Sequence, residues 1–133
     1  MKKTWKIIYY ETEGGESRIE DFIKALPPRS RAKVMSFIGL LEERGPDLPR
    51  PYADLLKDGI HELRIKVTGN QYRFLYFFCF RDYIVLTHAI RKNSDRVPAG
   101  EIKAAVGIRC DFLKRYSLKK LQEEFNEDIS KAS

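Results

Sequence analysis

The segment GNQYRFLYFFCF, residues 69–80, constrains the fold more than any other part of the chain. After Gln71 it is almost entirely aromatic and aliphatic, which is typical of a β-strand that is buried on at least one face. Arg73 lies inside this run. Because burying an unpaired charge costs several kcal/mol, the sequence predicts that Arg73 either has a charged partner or faces something other than the hydrophobic core.

Two further strand signals flank this segment. IHELRIKV, residues 60–67, alternates apolar and polar positions and places Glu62, Arg64 and Lys66 on one face. IVLTHAI, residues 84–90, is rich in β-branched and apolar residues. The short connections TGN and RDY join the three segments, which predicts an antiparallel meander.

Helical periodicity surrounds this predicted meander. Residues 17–26 and a second segment that follows Pro28 and ends at Gly45 place apolar side chains at helical spacing. Pro27 and Pro28 separate the two segments, which predicts a helical hairpin. Residues 96–116 return to helical spacing. With a first strand at residues 4–10, the order is β-α-α-β-β-β-α. This order predicts a small α+β domain with helices packed on an antiparallel sheet.

The length of 133 residues fits one domain. We assign residues 1–116 to this domain and residues 117–133 to a tail, which is either a further helix or a frayed end. The longest apolar run is too short to cross a bilayer, and the N-terminal segment lacks a signal-peptide cleavage site. These features predict a cytoplasmic protein with no membrane association. Cys79 and Cys110 are isolated and complete no metal-ligand cluster with His61 and His88, so we expect no zinc site. No other metal and no organic cofactor is implied.

The net charge of +6 is concentrated in the middle of the chain. Residues 60–116 carry 11 basic and 5 acidic side chains, whereas residues 1–59 carry 11 and 10. A basic block of this kind favours a polyanionic partner such as nucleic acid. On charge alone, a solvated basic surface explains it equally well.

Three local motifs resemble the RelE/ParE toxin superfamily, and within it the phage-derived Gp49-like, HigB-type branch. The most specific is LKDGIHELR, residues 56–64, leading into YRFLYF, residues 72–77. The second is LTHAIRKNSDRVPAGEI, residues 86–102, and the third is IRCDFLKRY, residues 108–116. Together with the order of elements, the resemblance covers roughly residues 3–116.

The resemblance implies a toxin of a type II toxin–antitoxin pair. RelE-like and HigB-like members bind the ribosomal A site and cut mRNA, which implies a metal-independent endoribonuclease that inhibits translation. Its partners would be the ribosome, mRNA and a helix-turn-helix antitoxin, and the oligomeric state stays open. One alternative is a ParE-like inhibitor of DNA gyrase with the same fold. Another is a non-catalytic module that binds nucleic acid.

The resemblance also implies which residues form the site. The implied catalytic residues are Arg73, Arg64, Lys66 and Arg91, and the implied RNA-binding residues are Lys92 and Arg96. Arginine suits this chemistry because its planar guanidinium donates paired hydrogen bonds to phosphate and stays charged. The alternative for Arg73 is a structural salt bridge with Glu62 across the strand pair. The sequence departs from the family at Asp95, an acid in a loop that would be expected to meet phosphate.

His88 is a candidate for proton transfer, because it is the only group near the last strand that titrates close to neutral pH. It shares strand parity with Ile84, Leu86 and Ile90, which we expect to be buried. The same pattern therefore favours a core histidine with one hydrogen bond.

Overall fold

The computed structural model describes residues 3–92 and 96–132, and for Lys92 and residues 126–132 it describes the backbone only. The strands are β1 (Lys6–Tyr9), β2 (Ala53–Leu55), β3 (His61–Val67), β4 (Asn70–Cys79) and β5 (Tyr83–Lys92). The helices are α1 (Arg18–Lys24), α2 (Pro28–Arg44), α3 (Ala99–Arg115) and α4 (Leu118–Ala132), with a short 3₁₀ turn at Gly45–Asp47.

The five strands form one mixed sheet in the order β1-β5-β4-β3-β2. The α+β class is confirmed, as is the antiparallel meander of β3, β4 and β5. The expectation of a purely antiparallel sheet is wrong at one edge, because β1 lies beside β5 and runs parallel to it. The short strand β2 forms within the Pro-rich connection and pairs with the first half of β3.

Helices cover the sheet on both faces. On one face, α1 and α2 pack over a first core that includes Tyr72 and Phe74 of β4. On the other face, a second core includes Leu75 and Phe77 of β4, Phe112 of α3 and Leu121 of α4. Successive residues of β4 therefore enter different cores. This explains why β4 is an almost continuous apolar run and not an alternating one.

An irregularity in the pairing of β4 with β5 changes which face β5 residues occupy. Leu75 pairs with His88 while Tyr76 pairs with Leu86, so Thr87 is an extra residue in β5. A β-bulge of this kind reverses the alternation beyond it. The expectation that His88 shares a face with Leu86 is wrong for this reason, and His88 lies on the face covered by α3.

The C-terminal helix α4 belongs to the second core through Leu121, which is buried. None of the helices in the described part of the chain is long and apolar enough to span a membrane.

Candidate functional site

A cleft of about 390 Å³ lies at the margin of the sheet where β2 begins. We call it the cationic cleft, and it is lined by Lys33, Phe37, Pro51, Tyr52, Arg64, Lys66, Gln71 and Arg73. The β3–β4 register explains part of this set, because Arg64 pairs with Arg73 and Lys66 with Gln71. Side chains of paired residues lie on the same face of a sheet. Of the described residues that line the cleft, four are cationic and none is acidic, so the lining favours an anion.

Arg73 is buried in the wall of this cleft, with only 3% of its surface exposed. Its Nη2 atom donates a hydrogen bond to Gln71 Oε1 at 3.2 Å. Its Nε atom lies 3.4 Å from Glu62 Oε2, close enough for an ion pair. Yet Nε, Nη1 and Glu62 Oε2 make no hydrogen bond within the described residues. Arg73 and Glu62 therefore attract each other as charges but form no hydrogen bond with each other, whereas a buried guanidinium is normally stabilised by such bonds.

The Glu62 carboxylate is shared between two arginines. It is 1% exposed, and its Oε1 atom accepts a hydrogen bond from Arg64 Nε at 2.5 Å. Arg64 Nη2 also lies 3.3 Å from Asp54 Oδ2, and Arg50 Nε donates to Asp54 Oδ1 at 2.9 Å. The salt bridge expected between Arg73 and Glu62 is therefore present, while Arg73 also lines a cationic cleft.

The arrangement of these two arginines is unfavourable for folding. Like charges placed directly opposite each other on paired strands are destabilising, and a buried donor without a partner carries a desolvation cost. A buried ion pair can often be replaced by apolar residues of similar size at little cost, or with a gain in stability. A local arrangement that is unfavourable for folding is most readily explained by function.

The structure brings together three of the sequence-predicted site residues, namely Arg64, Lys66 and Arg73. It does not bring Arg91 to them. Arg91 pairs with Tyr72, which places it on the opposite face of the sheet from Arg73. Its guanidinium lies 6.0 Å from the Tyr72 ring and donates to Asn70 Oδ1.

The remaining predicted RNA contacts follow β5. The Lys92 backbone pairs with Gln71, but its side chain lies outside the described structure, as does all of Asp95. Arg96 is exposed just before α3 and is not among the residues that line the cleft.

His88 is fully buried away from the cleft. Its Nε2 lies 2.7 Å from Glu101 Oε2, and its Nδ1 lies 3.1 Å from Thr87 Oγ1. Burial lowers the pKa of His88, and the neighbouring Glu101 carboxylate only partly opposes this. A neutral ring can donate from Nε2 to Glu101, while the single hydroxyl hydrogen of Thr87 is shared between His88 Nδ1 and the Leu75 carbonyl, 3.2 Å from Oγ1. This environment favours the core role expected from the sequence over proton transfer.

Sequence reasoning did not assign five residues of the cleft lining to the site, namely Lys33, Phe37, Pro51, Tyr52 and Gln71. Lys33 lies on the exposed side of α2, and its neighbours in the chain give no sign that it faces residues of β3 and β4. Tyr52 is 42% exposed and lies in the Pro-rich connection. An aromatic residue directly after Pro51 is the local signal that could have identified it.

No group of three or more His, Cys, Asp or Glu side chains within the described residues could hold a metal ion.

The fold and the site together define a small α+β domain with a cationic cleft at one margin of its sheet. The family model described as Phage derived protein Gp49-like matches residues 21–108. This match covers well over half of the chain, so the chain belongs to that family, a RelE/HigB-type toxin family. Membership is consistent with a toxin of a toxin–antitoxin pair. A comparison with curated proteins found no match.

Replacing Glu62 with Gln should lower the free energy of unfolding by about 3 to 5 kcal/mol, because the buried Arg73 loses its ion pair with Glu62 while Arg64 keeps only the contact with Asp54. The double variant Glu62→Gln, Arg73→Met should recover most of this loss. Urea unfolding measures both effects. The matched control is Glu13→Gln, the same change at an exposed position, which should leave the free energy of unfolding unchanged. If Glu62→Gln unfolded at the parental urea concentration, the carboxylate would not be needed to hold the arginines.

The free energy of unfolding should fall as the pH drops from 7.5 to 5.5. Burial lowers the pKa values of His88 and His61 in the folded state. Below the histidine pKa of the unfolded chain, about 6.5, the unfolded chain therefore binds more protons than the folded protein. The contribution of these histidines to the free energy of unfolding is full above this pH and is lost as the pH falls below it. In the His61→Phe variant the remaining slope reports on His88. A flat profile for this variant in urea unfolding would contradict the assigned environment of His88.

Proposed function

We propose that this protein is the toxin of a type II toxin–antitoxin pair and cuts mRNA on the ribosome. The observation that supports this most strongly is the state of Arg73. Its guanidinium is buried in the wall of a cationic cleft and has two nitrogen atoms without hydrogen bonds to the described residues. A phosphate oxygen is the acceptor that best matches such donors.

Cleavage would proceed by attack of a ribose 2′-hydroxyl on the adjacent phosphate. The 2′-hydroxyl gives its proton to water as its oxygen forms a bond to phosphorus. The bond from phosphorus to the 5′-oxygen of the next nucleotide breaks, and that oxygen takes up a proton from water. Negative charge builds up on the phosphoryl oxygens in the transition state. Arg73 would donate to these oxygens from Nη1, which makes no hydrogen bond to the described residues, while Nε would stay beside Glu62. Donors that are already positioned need little reorganisation during the reaction, which is the basis of their catalytic effect.

Arg64 and Lys66 would bind the RNA backbone beside the reacting phosphate. Arg64 is held by Glu62 and Asp54, so its guanidinium is fixed in the cleft wall before RNA arrives. Lys66 is exposed and would contribute a mobile charge. Together these residues would position the phosphate against Arg73.

The described lining of the cleft contains neither a histidine nor a carboxylate. We therefore assign the contribution of this chain to charge stabilisation and orientation by Arg73, Arg64 and Lys66. His88 would act through the core, where it links β5 to Glu101 at the start of α3.

Arg73→Ala should slow mRNA cleavage on programmed ribosomes by roughly 100- to 1000-fold, the effect of losing one positioned donor. Single-turnover cleavage measures this rate, and urea unfolding of the same preparation shows that the variant is folded. The control is Arg81→Ala, an exposed arginine in the turn at the other end of β4. A folded Arg73→Ala variant that cuts at the parental rate would exclude Arg73 from the mechanism.

Expression of the chain alone should arrest growth, and co-expression of the antitoxin encoded beside it should restore growth. Membership of a toxin family is the reason for this expectation. Accumulation of folded protein without any effect on growth would contradict the toxin assignment.

A further inference from the structure

One wall of the cationic cleft is aromatic. It is formed by Phe37 of α2 together with Pro51 and Tyr52 of the Pro-rich connection. The rings of Phe37 and Tyr52 lie 6.0 Å apart at an angle of 46°. Tyr52 keeps 42% of its surface exposed, so its ring is available to a ligand in the cleft.

A second wall of the same cleft supplies the charges of Arg64, Lys66 and Arg73. A phosphate alone would bind these charges but would make no favourable contact with the aromatic wall. An apolar ligand would use the rings but would leave the cationic side chains without an anionic ligand. A nucleotide has an aromatic base and a phosphate within a few ångströms of each other, and the volume of about 390 Å³ lies within the usual range for a small-ligand site.

The backbone joins the two walls directly. The carbonyl of Tyr52 accepts a hydrogen bond from the Arg64 amide at 2.8 Å, and the Tyr52 amide donates to the Pro49 carbonyl at 3.0 Å. The position of the Tyr52 backbone is therefore tied to the residue that contributes a guanidinium to the other wall. A fixed spacing between an aromatic ring and a cationic group is suited to one nucleotide unit.

We propose that Tyr52 and Phe37 form a nucleobase subsite within the cationic cleft. One base of single-stranded RNA stacks on the exposed Tyr52 ring while its phosphate binds Arg73 and Arg64. Lys33 of α2, an exposed residue of the cleft lining, contacts the backbone of the same strand. This inference rests on the proposed function in one respect, which is that the ligand is RNA.

The test uses the full-length protein without ribosomes and 2′-O-methyl RNA tetranucleotides, which lack the attacking hydroxyl. Binding is followed by NMR titration, with each base removed in turn to give four abasic versions. The parental protein should bind the intact tetranucleotide more tightly than one particular abasic version. Tyr52→Ala should weaken binding of the intact tetranucleotide by about 5- to 100-fold, as expected for loss of one stacked base, and should leave binding of that abasic version unchanged.

Two further variants separate stacking from other effects. Tyr52→Phe should bind like the parent, because a phenyl ring still stacks. Leu55→Ala removes another exposed apolar side chain that does not line the cleft, and it should also bind like the parent. Lys33→Ala should weaken intact and abasic RNA by the same factor, since it removes a backbone contact.

Any one of three outcomes would overturn the proposed subsite. The first is that the parental protein does not bind at millimolar RNA, the second is that it binds intact and abasic RNA with equal affinity, and the third is that the Tyr52→Ala variant binds like the parent. The binding measurement does not depend on whether the protein cuts RNA. Base-dependent binding through Tyr52 by a protein that cuts no mRNA on ribosomes would refute the proposed function alone, while ribosomal cleavage without base-dependent binding would refute the subsite alone.

Discussion

The Glu62 carboxylate is the interaction on which the candidate site depends. Pairing of β3 with β4 places Arg64 directly opposite Arg73, an arrangement that would be repulsive without an acid beside it. Glu62 binds Arg64 firmly through Oε1 but reaches Arg73 only at 3.4 Å, without a hydrogen bond. The two guanidinium groups are thus compensated to different degrees. Arg64 is fixed, while Arg73 retains donors that a substrate could use.

Such a site needs a sheet that is stable without help from the site residues. Both faces of β4 are buried in separate cores for most of its length, and burial of apolar side chains is the main stabilising contribution. The cationic cleft lies at the margin, beyond the part of β3 that pairs with β2. The Arg73 guanidinium has incomplete hydrogen bonding, which costs free energy of folding. This cost is confined to one end of a sheet whose centre is well packed.

The sequence predicted those features that local patterns determine. The helix faces of α1 and α2 and the alternation in β3 follow from periodicity, and the faces chosen by Arg64, Lys66 and Arg73 follow from strand parity. The parallel pairing of β1 with β5 depends on contacts between distant segments, so no local pattern indicates it. No local pattern indicates the bulge at Thr87 either, and this bulge places His88 on the other face. Lys33 and Tyr52 reach the cleft only because α2 and the Pro-rich connection pack beside β3.

The most direct test of the account is a structure of the protein bound to 2′-O-methyl mRNA in the ribosomal A site. We expect a non-bridging oxygen of the phosphate next to the modified ribose to lie within hydrogen-bonding distance of Arg73 Nη1, about 3 Å, with Glu62 still bound to Arg64. A complex in which the phosphate lies elsewhere, and Arg73 remains directed only at Glu62 and Gln71, would contradict it.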